Sequence, residues 1–142
     1  MFVRDLLNKK SRDTATVGSA DTLGHAAKIL ARHHIGALPV LSDAGSLEGI
    51  LSERDIVRAL AQNELALADS VARYMTKDVI TCTPDFPVAD VMAIMTKGRF
   101  RHLPVLEHTR LIGIISIGDV VKAHIDEMTE ANHHMMSYIA SA

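Results

Sequence analysis

The sequence predicts an α+β fold that is built from two copies of one β-α-β-β-α unit. The segment 49–57, Gly-Ile-Leu-Ser-Glu-Arg-Asp-Ile-Val, returns at 113–121 as Gly-Ile-Ile-Ser-Ile-Gly-Asp-Val-Val, and five of its residues are identical at a constant offset of 64. Just upstream, Leu-Pro-Val-Leu at 38–41 matches Leu-Pro-Val-Leu at 103–106, at an offset of 65. Self-similarity of this kind predicts a repeated supersecondary unit.

The first elements of each half follow from hydrophobic periodicity. Apolar residues lie at 23, 26, 27 and 30, and again at 88, 91, 92 and 95, which is the spacing of an amphipathic helix. Short β-branched runs at Val17 and at Val79-Ile80 precede these helices and predict an opening strand in each half. Each half is therefore expected to begin with a strand and then a helix.

The remaining elements come after the Leu-Pro-Val-Leu segments. A turn and a second apolar run, at 47–51 and at 111–115, predict a β-hairpin in each half. Residues 55–60 and 119–125 then have helical patterns. We divide the chain into a first motif (1–62), a linker (63–70), a second motif (71–126) and a C-terminal helix (127–142). The methionines of the last segment are flexible apolar side chains, which often pack against a partner or a neighbouring half.

Composition narrows the function class. The chain of 142 residues has 15 Lys and Arg against 17 Asp and Glu, so its net charge of −2 gives no general attraction to nucleic acid or to an anionic membrane. No stretch resembles a secretion signal or a membrane span. A single cysteine, Cys82, cannot form an internal disulfide, which favours a reducing compartment and predicts a cytoplasmic protein. The eight histidines show no zinc-ligand spacing, so no metal site is predicted.

The repeated Ser-x-x-Asp allows two interpretations. In the first, serine and aspartate only cap the following helix as a capping box. In the second, the carboxylate accepts hydrogen bonds from the two cis hydroxyls of a ribose, while the serine and the helix N-terminus bind an oxygen or an anion. Both interpretations apply to Ser52 with Asp55 and to Ser116 with Asp119.

The doubled Gly-x-x-Ser-x-x-Asp, the doubled Leu-Pro-Val before it and Met75-Thr76 ahead of the second copy resemble the tandem cystathionine β-synthase (CBS) domain pair, or Bateman module. The resemblance covers roughly residues 3–125. It implies two halves packed sheet to sheet about a pseudo-two-fold axis, with two equivalent clefts for adenosine-containing ligands. No enzyme, channel or transporter domain accompanies the pair, so the resemblance implies a stand-alone, non-catalytic module that forms a homodimer.

The family pattern assigns residues to both clefts. In the first cleft Asp119 holds the ribose, Gly36 lets the backbone approach adenine, and Arg101 grips phosphate. The full set for the first cleft is Thr14, Ala15, Thr16, Ile35, Gly36, Ala37, Arg101, His102, Ile114, Ser116 and Asp119. The second cleft comprises Leu51, Ser52, Arg54, Asp55, Thr81, Cys82 and Phe100, with Arg101 and His102 shared. Because bulky Arg101 stands where the first cleft has Gly36, the clefts should differ, and we rank the first cleft higher.

The expected function is that of an adenine-nucleotide sensor whose bound state alters contacts with another, unknown protein. AMP is the first candidate ligand, and ADP, ATP, NAD(H) and S-adenosylmethionine share its adenosine group. No cofactor is required. Three alternatives stay open: a constitutive interaction scaffold with vestigial clefts, a nucleic-acid binder, which charge and few aromatics disfavour, and an enzyme that acts on nucleotides.

Overall fold

The computed structural model describes residues 1–10 and 14–141. Its helices are α1 (Val3–Lys9), α2 (Leu23–His33), α3 (Glu53–Gln62), α4 (Val71–Tyr74), α5 (Val88–Gly98) and α6 (Ile117–Ser141). Its strands are β1 (Val17–Gly18), β2 (Ala37–Leu41), β3 (Leu47–Ser52), β4 (His102–Glu107) and β5 (Arg110–Ser116), and a 3₁₀ turn spans Ala66–Ala68. The predicted α+β class is confirmed.

The first half contains a three-stranded sheet in the order β1-β2-β3. β1 runs parallel to β2, whereas β2 and β3 form the predicted antiparallel hairpin. α2 and α3 cover the sheet, and their buried faces join β2 and β3 in one hydrophobic core. Thr22 caps α2 by accepting a hydrogen bond from the His25 amide at 3.1 Å.

The second half repeats this arrangement with one difference. β4 and β5 form the predicted hairpin, but the opening strand that we predicted at Val79-Ile80 is wrong. Only Cys82 pairs with the sheet there, through a parallel bridge to Val105, and Ile80 is 49% exposed. At the predicted strand, the Val79 amide donates to the Lys77 carbonyl at 3.0 Å, so it bonds locally instead of to a neighbouring strand. After Cys82, the Pro84 and Phe86 carbonyls accept hydrogen bonds from the first amides of α1.

A short helix from one half packs against the hairpin of the other half. Val3 and Leu6 of α1 lie in the core of the second half, although α1 begins the chain. Leu7 approaches Gly113 of β5, and Met75, 68 positions later and just after α4, approaches Gly49 of β3. α1 and α4 are thus equivalent elements, and the crossing of α1 brings Lys10, which follows it, to the second half.

The last helix includes the predicted C-terminal helix. Residues 127–141 are helical, as predicted, and they continue without a break from the helix predicted at 119–125, so α6 runs from Ile117 to Ser141. No glycine or proline interrupts the sequence after Gly118, so nothing forces a break. None of the helices in the described chain is long and apolar enough to cross a membrane.

The equivalent glycines provide a test of this crossed packing. A β-carbon at Gly49 would lie 2.6 Å from the Thr76 carbonyl oxygen, whereas at Gly113 it would meet only the end of the Leu7 side chain, at the same 2.6 Å. A side chain rotates away more easily than backbone moves. We expect Gly49→Ala to lower the free energy of unfolding by about 1–3 kcal/mol and Gly113→Ala to lower it less, as measured by urea denaturation. Equal losses would contradict the assigned neighbours.

Candidate functional site

Each Ser-x-x-Asp motif joins the end of a hairpin to the start of a helix. The Ser52 amide donates to Asp55 Oδ2 at 2.8 Å, and the Asp55 amide donates to Ser52 Oγ at 3.2 Å. The second copy matches it, with the Ser116 amide 2.9 Å from Asp119 Oδ2 and the Asp119 amide 3.1 Å from Ser116 Oγ. Both motifs are therefore complete capping boxes, and these contacts do not exclude a second role for either carboxylate.

The two aspartates differ in their further partners. Lys10 donates to Asp119 Oδ2 at 2.7 Å and to the Ile114 carbonyl at 2.9 Å, so it links the end of α1 to the start of α6. Among the described residues, no cation pairs with Asp55. The residue equivalent to Lys10, at the offset of 68 that relates α1 to α4, is Asp78. The first cleft thus receives a cation, whereas the equivalent position in the sequence of the second half is an aspartate.

Lys10 and the capping amide decide the protonation state of Asp119. Partial burial opposes ionisation, but hydrogen bonds from Lys10 and Ser116, together with the Lys10 charge, outweigh it and lower the pKa of Asp119 below its ordinary value. The carboxylate is therefore ionised at neutral pH and remains an acceptor. A ribose diol that bound Asp119 would have to share this carboxylate with Lys10 or displace it.

A cavity of about 850 Å³ lies beside this ion pair, between segments of both halves. Four predicted residues of the first cleft line it, namely Thr14, Ala15, Ile35 and Ile114. The remaining lining residues are Arg4, Leu7, Asn8, Lys10, His33, Pro84, Glu107, Ile112 and Gly113. Its volume suits a ligand of nucleotide size, because small-molecule sites commonly span about 300–1,000 Å³. Lys10 both lines the cavity and binds Asp119, so the cavity and the carboxylate belong to one region.

His102 and Gly36 bring the two halves into contact nearby. A β-carbon at Gly36 would lie 3.3 Å from the His102 ring and 3.5 Å from Glu53 Oε1, so a larger residue would crowd this contact. Burial is the main reason why the pKa of His102 lies below its ordinary value. The negative charges of Glu53 and, more weakly, Asp119 favour the protonated ring and oppose this shift. The positive charges of Lys10 and Arg101 disfavour protonation and add to it. These couplings assign Glu53, Arg101 and His102 to the same charged cluster as Lys10 and Asp119.

A second cavity, of about 360 Å³, lies between the end of α5 and the starts of α3 and α6. Three predicted residues line it, Arg54, Phe100 and Arg101, together with Met95, Thr96, Arg99 and Ile117. Its three arginines and the absence of a carboxylate among its described lining residues make it a basic pocket. Guanidinium groups are suited to bidentate contacts with phosphate or carboxylate oxygens.

The other predicted site residues line neither cavity. Leu51 is fully buried in the first core and pairs with Leu38, and Ala37 is buried opposite Ser52. The Cys82 thiol is 2% exposed, burial raises its pKa to about 11, and its amide and carbonyl both bond to β4. Thr16 and Thr81 are half-buried but line neither cavity.

The structure adds residues that sequence reasoning missed, above all Lys10, Arg4 and His33. The repeat gave no signal for Lys10 because its equivalent, Asp78, differs in charge. A basic residue shortly before the predicted Thr14 was the only available clue. In the described part of the chain, no group of three or more His, Cys, Asp or Glu side chains is arranged to hold a metal ion.

Comparison with known proteins agrees with this architecture. The CBS domain profile matches residues 3–62 and 71–126, so the chain belongs to the CBS-domain family. The crystal structure of a CBS-domain protein from Agrobacterium tumefaciens is 50% identical, covers 87% of this chain and 92% of its own, and superposes with a TM-score of 0.83. The predicted resemblance to a CBS pair is confirmed.

Two further relatives extend the comparison. The CBS domain pair of protein MJ0100, in complex with 5′-methylthioadenosine and S-adenosyl-L-methionine, is 33% identical, covers 89% of this chain and 98% of its own, and has a TM-score of 0.81. The mitochondrial CBS domain-containing protein CBSX3 of Arabidopsis thaliana is 37% identical over 84% of this chain. The chain spans 60% of that plant protein's length.

The altered pKa of His102 gives a pH-dependent prediction. Folded His102 resists protonation, whereas the unfolded chain takes up a proton near pH 6.5, so the free energy of unfolding should fall as the pH drops below that value. We expect His102→Gln to flatten this slope in urea titrations between pH 7.5 and 5. The matched change at an exposed histidine, His124→Gln, should keep it. A slope that His102→Gln leaves unchanged would contradict the coupling.

Proposed function

We propose that this chain is an adenine-nucleotide sensor, with AMP as its first ligand, and that the bound state alters contacts with another protein. The observation that carries the proposal is the 850 Å³ cavity between the halves, with Lys10 in its wall bonded to the ionised carboxylate of Asp119. Such a site offers acceptors for ribose hydroxyls and cations for phosphate. The MJ0100 pair, which was crystallised with two adenosine compounds, supports the adenosine class.

The proposed pose follows from charge and space. The ribose binds Asp119, adenine lies against the backbone of Ile35 and Gly36, and the phosphate lies toward Lys10 and Arg101. Thr14 and Ala15 complete the wall from the first half. The basic pocket at Arg54, Arg99 and Arg101 then serves a second, anionic ligand or the far end of a longer one. ADP, ATP, NAD(H) and S-adenosylmethionine remain alternative ligands.

We also propose that the protein acts as a homodimer, without catalysis, in the cytosol. A regulatory role of this kind requires only that the ligand bind one arrangement of the two halves, or of the dimer, more tightly than another. The regulated partner is a protein that contacts the surface on which those arrangements differ.

A constitutive scaffold is the second candidate. Both capping boxes are complete, so each aspartate already has a structural role that needs no ligand. A scaffold with vestigial clefts predicts no heat of binding and no thermal stabilisation with any adenosine compound, whereas a ligand at 100 times its dissociation constant should stabilise the fold by about 2.7 kcal/mol.

The decisive measurement is calorimetric titration of ligand-free protein with AMP, 2′-deoxy-AMP, ATP, NADH and S-adenosylmethionine. We expect Asp119→Ala to weaken AMP binding by about 1.5–3 kcal/mol, the range for hydrogen bonds to a charged group, and 2′-deoxy-AMP to bind weakly to the wild type. Asp55→Ala removes the same capping contacts from the other half, and because Asp55 is assigned to the lower-ranked second cleft, it should leave the tighter AMP binding at the first cleft in place. Equal effects of the two substitutions would remove Asp119 from the ribose role, and silence across the panel would favour the scaffold.

Lys10 gives a separate test of the pose. Lys10 competes with the ribose for Asp119, so Lys10→Met should strengthen the binding of adenosine. Lys10 also attracts the phosphate, so the same substitution should reduce the ratio of AMP affinity to adenosine affinity. We expect this ratio to fall about tenfold, a change of about 1.4 kcal/mol. The control is Lys9→Met, which changes the net charge by the same amount. Lys9 makes none of the described bonds to Asp119, which come from Lys10. Parallel losses for adenosine and AMP in Lys10→Met would show that Lys10 acts only on the fold.

A further inference from the structure

The distal part of α6 is exposed along its described length. Val120 and Ala123, at 0% and 3% exposure, are the last buried residues, and every residue from His124 to Ala140 is exposed. In proteins, most of the stability of a helix comes from packing of its apolar face, and the exposed segment 124–140 buries no apolar face within the described chain. The helix nevertheless carries large exposed apolar side chains, including Met135 at 64%.

These side chains follow a heptad repeat. Successive spacings of four and three residues define a stripe, which we call the seam: Val121, Ile125, Met128, Asn132, Met135 and Ile139. Ile125, Asn132 and Ile139 take the a positions, and Val121, Met128 and Met135 take the d positions. All six residues of the seam are exposed. Alternation of this kind is typical of the contact line of a coiled coil rather than of packing onto a sheet.

The remaining faces of the helix agree with this assignment. The charged and histidine side chains after Ile125 lie away from the seam, at Asp126, Glu127, Glu130, His133 and His134. Two ion-pair contacts use that outer face, from Glu130 to His134 at 3.7 Å and from Glu127 to the N-terminal amine at 3.6 Å. The flanking positions 129, 131, 136 and 138 are Thr, Ala, Met and Tyr, so no Lys, Arg, Asp or Glu there would repel an identical strand; Lys122 and His124 flank only the first turn of the seam.

The residues of the seam favour an identical helix as the partner. A lone asparagine in an apolar stripe leaves an amide unpaired against most apolar surfaces, but it meets a matching amide when two identical helices lie parallel and in register. Isoleucine at the neighbouring a positions, Ile125 and Ile139, favours two strands. From Ile125 to Ile139 the seam is about 21 Å long, at 1.5 Å per residue, which is two heptads.

We propose that α6 pairs with α6 of a second copy as a parallel, in-register coiled coil in which the two Asn132 side chains face each other. This proposal rests on the self-association included in the proposed function, and it names the surface involved. It does not depend on the nucleotide. The two-fold axis then runs along the seam, and both CBS pairs lie at the same end of the coiled coil.

Cross-linking of the full chain tests the register. In a parallel, in-register pair the two copies of residue 132 face each other, so Asn132→Cys should form an interchain disulfide under mild oxidation. The matched control is Glu130→Cys, which lies on the outer face and should stay largely monomeric on a non-reducing gel. Cys82 contributes little background because it is buried. Equal cross-linking of both variants, or none of Asn132→Cys, would overturn the proposal.

Sedimentation equilibrium tests the energetics. Met135→Lys should raise the dimer dissociation constant by about a hundredfold or more, because a symmetric contact loses two apolar side chains and gains two like charges. Glu130→Lys should leave it within about threefold of the wild type. A wild-type monomer, or an unchanged dimer in Met135→Lys, would refute the seam. AMP titration of Met135→Lys keeps the two proposals apart, since binding should persist if only self-association is lost.

Discussion

The reciprocal capping box at the end of each hairpin is the interaction on which the rest of the structure depends. In the second half it fixes three things at once: where β5 stops, where α6 starts, and where the Asp119 carboxylate points. Because the serine and aspartate satisfy each other's amides, the strand turns directly into the helix with no intervening loop residue. The same geometry in the first half, at Ser52 and Asp55, explains why the repeat is so evident in the sequence.

Identical caps cannot by themselves make the two clefts differ, so the difference must come from neighbouring elements. The crossing of α1 to the second half supplies one source, since it brings Lys10 to Asp119 where the equivalent position is Asp78. The segments before β2 and β4 supply another, with Gly36 in the first half and Arg101 in the second. Both substitutions concern charge or bulk at the junction of the halves. If the two clefts bind the proposed ligands, their preference would depend on the least similar parts of the repeat, while the fold depends on the most similar.

The fold was largely predictable because its hydrophobic periodicities and its duplication can be read directly from the sequence. The fate of the segment predicted as the opening strand of the second half was not, since the Val79 amide bonds locally to Lys77 and the carbonyls of Pro84 and Phe86, just beyond, bind the amides of α1, about 80 residues away in sequence. For the candidate site, the doubled motif singled out Asp55 and Asp119, whose ligand role stays a prediction. Lys10 could not be predicted because its contact with Asp119 is also a long-range one, across 109 positions. The repeat gave no help, since the equivalent residue, Asp78, is not basic.

The proposed ligand and the proposed seam involve opposite parts of one helix. Asp119 lies in the first turn of α6, and Asn132 lies 13 residues further along, which is about 20 Å at 1.5 Å per residue. Because α6 is one continuous helix, any tilt of its first turn that followed release of Lys10 from Asp119 would also displace the seam. Such a coupling has a strict limit. The nucleotide can shift the pairing only by the difference between its affinities for the two arrangements, and the pairing must shift nucleotide affinity by the same factor.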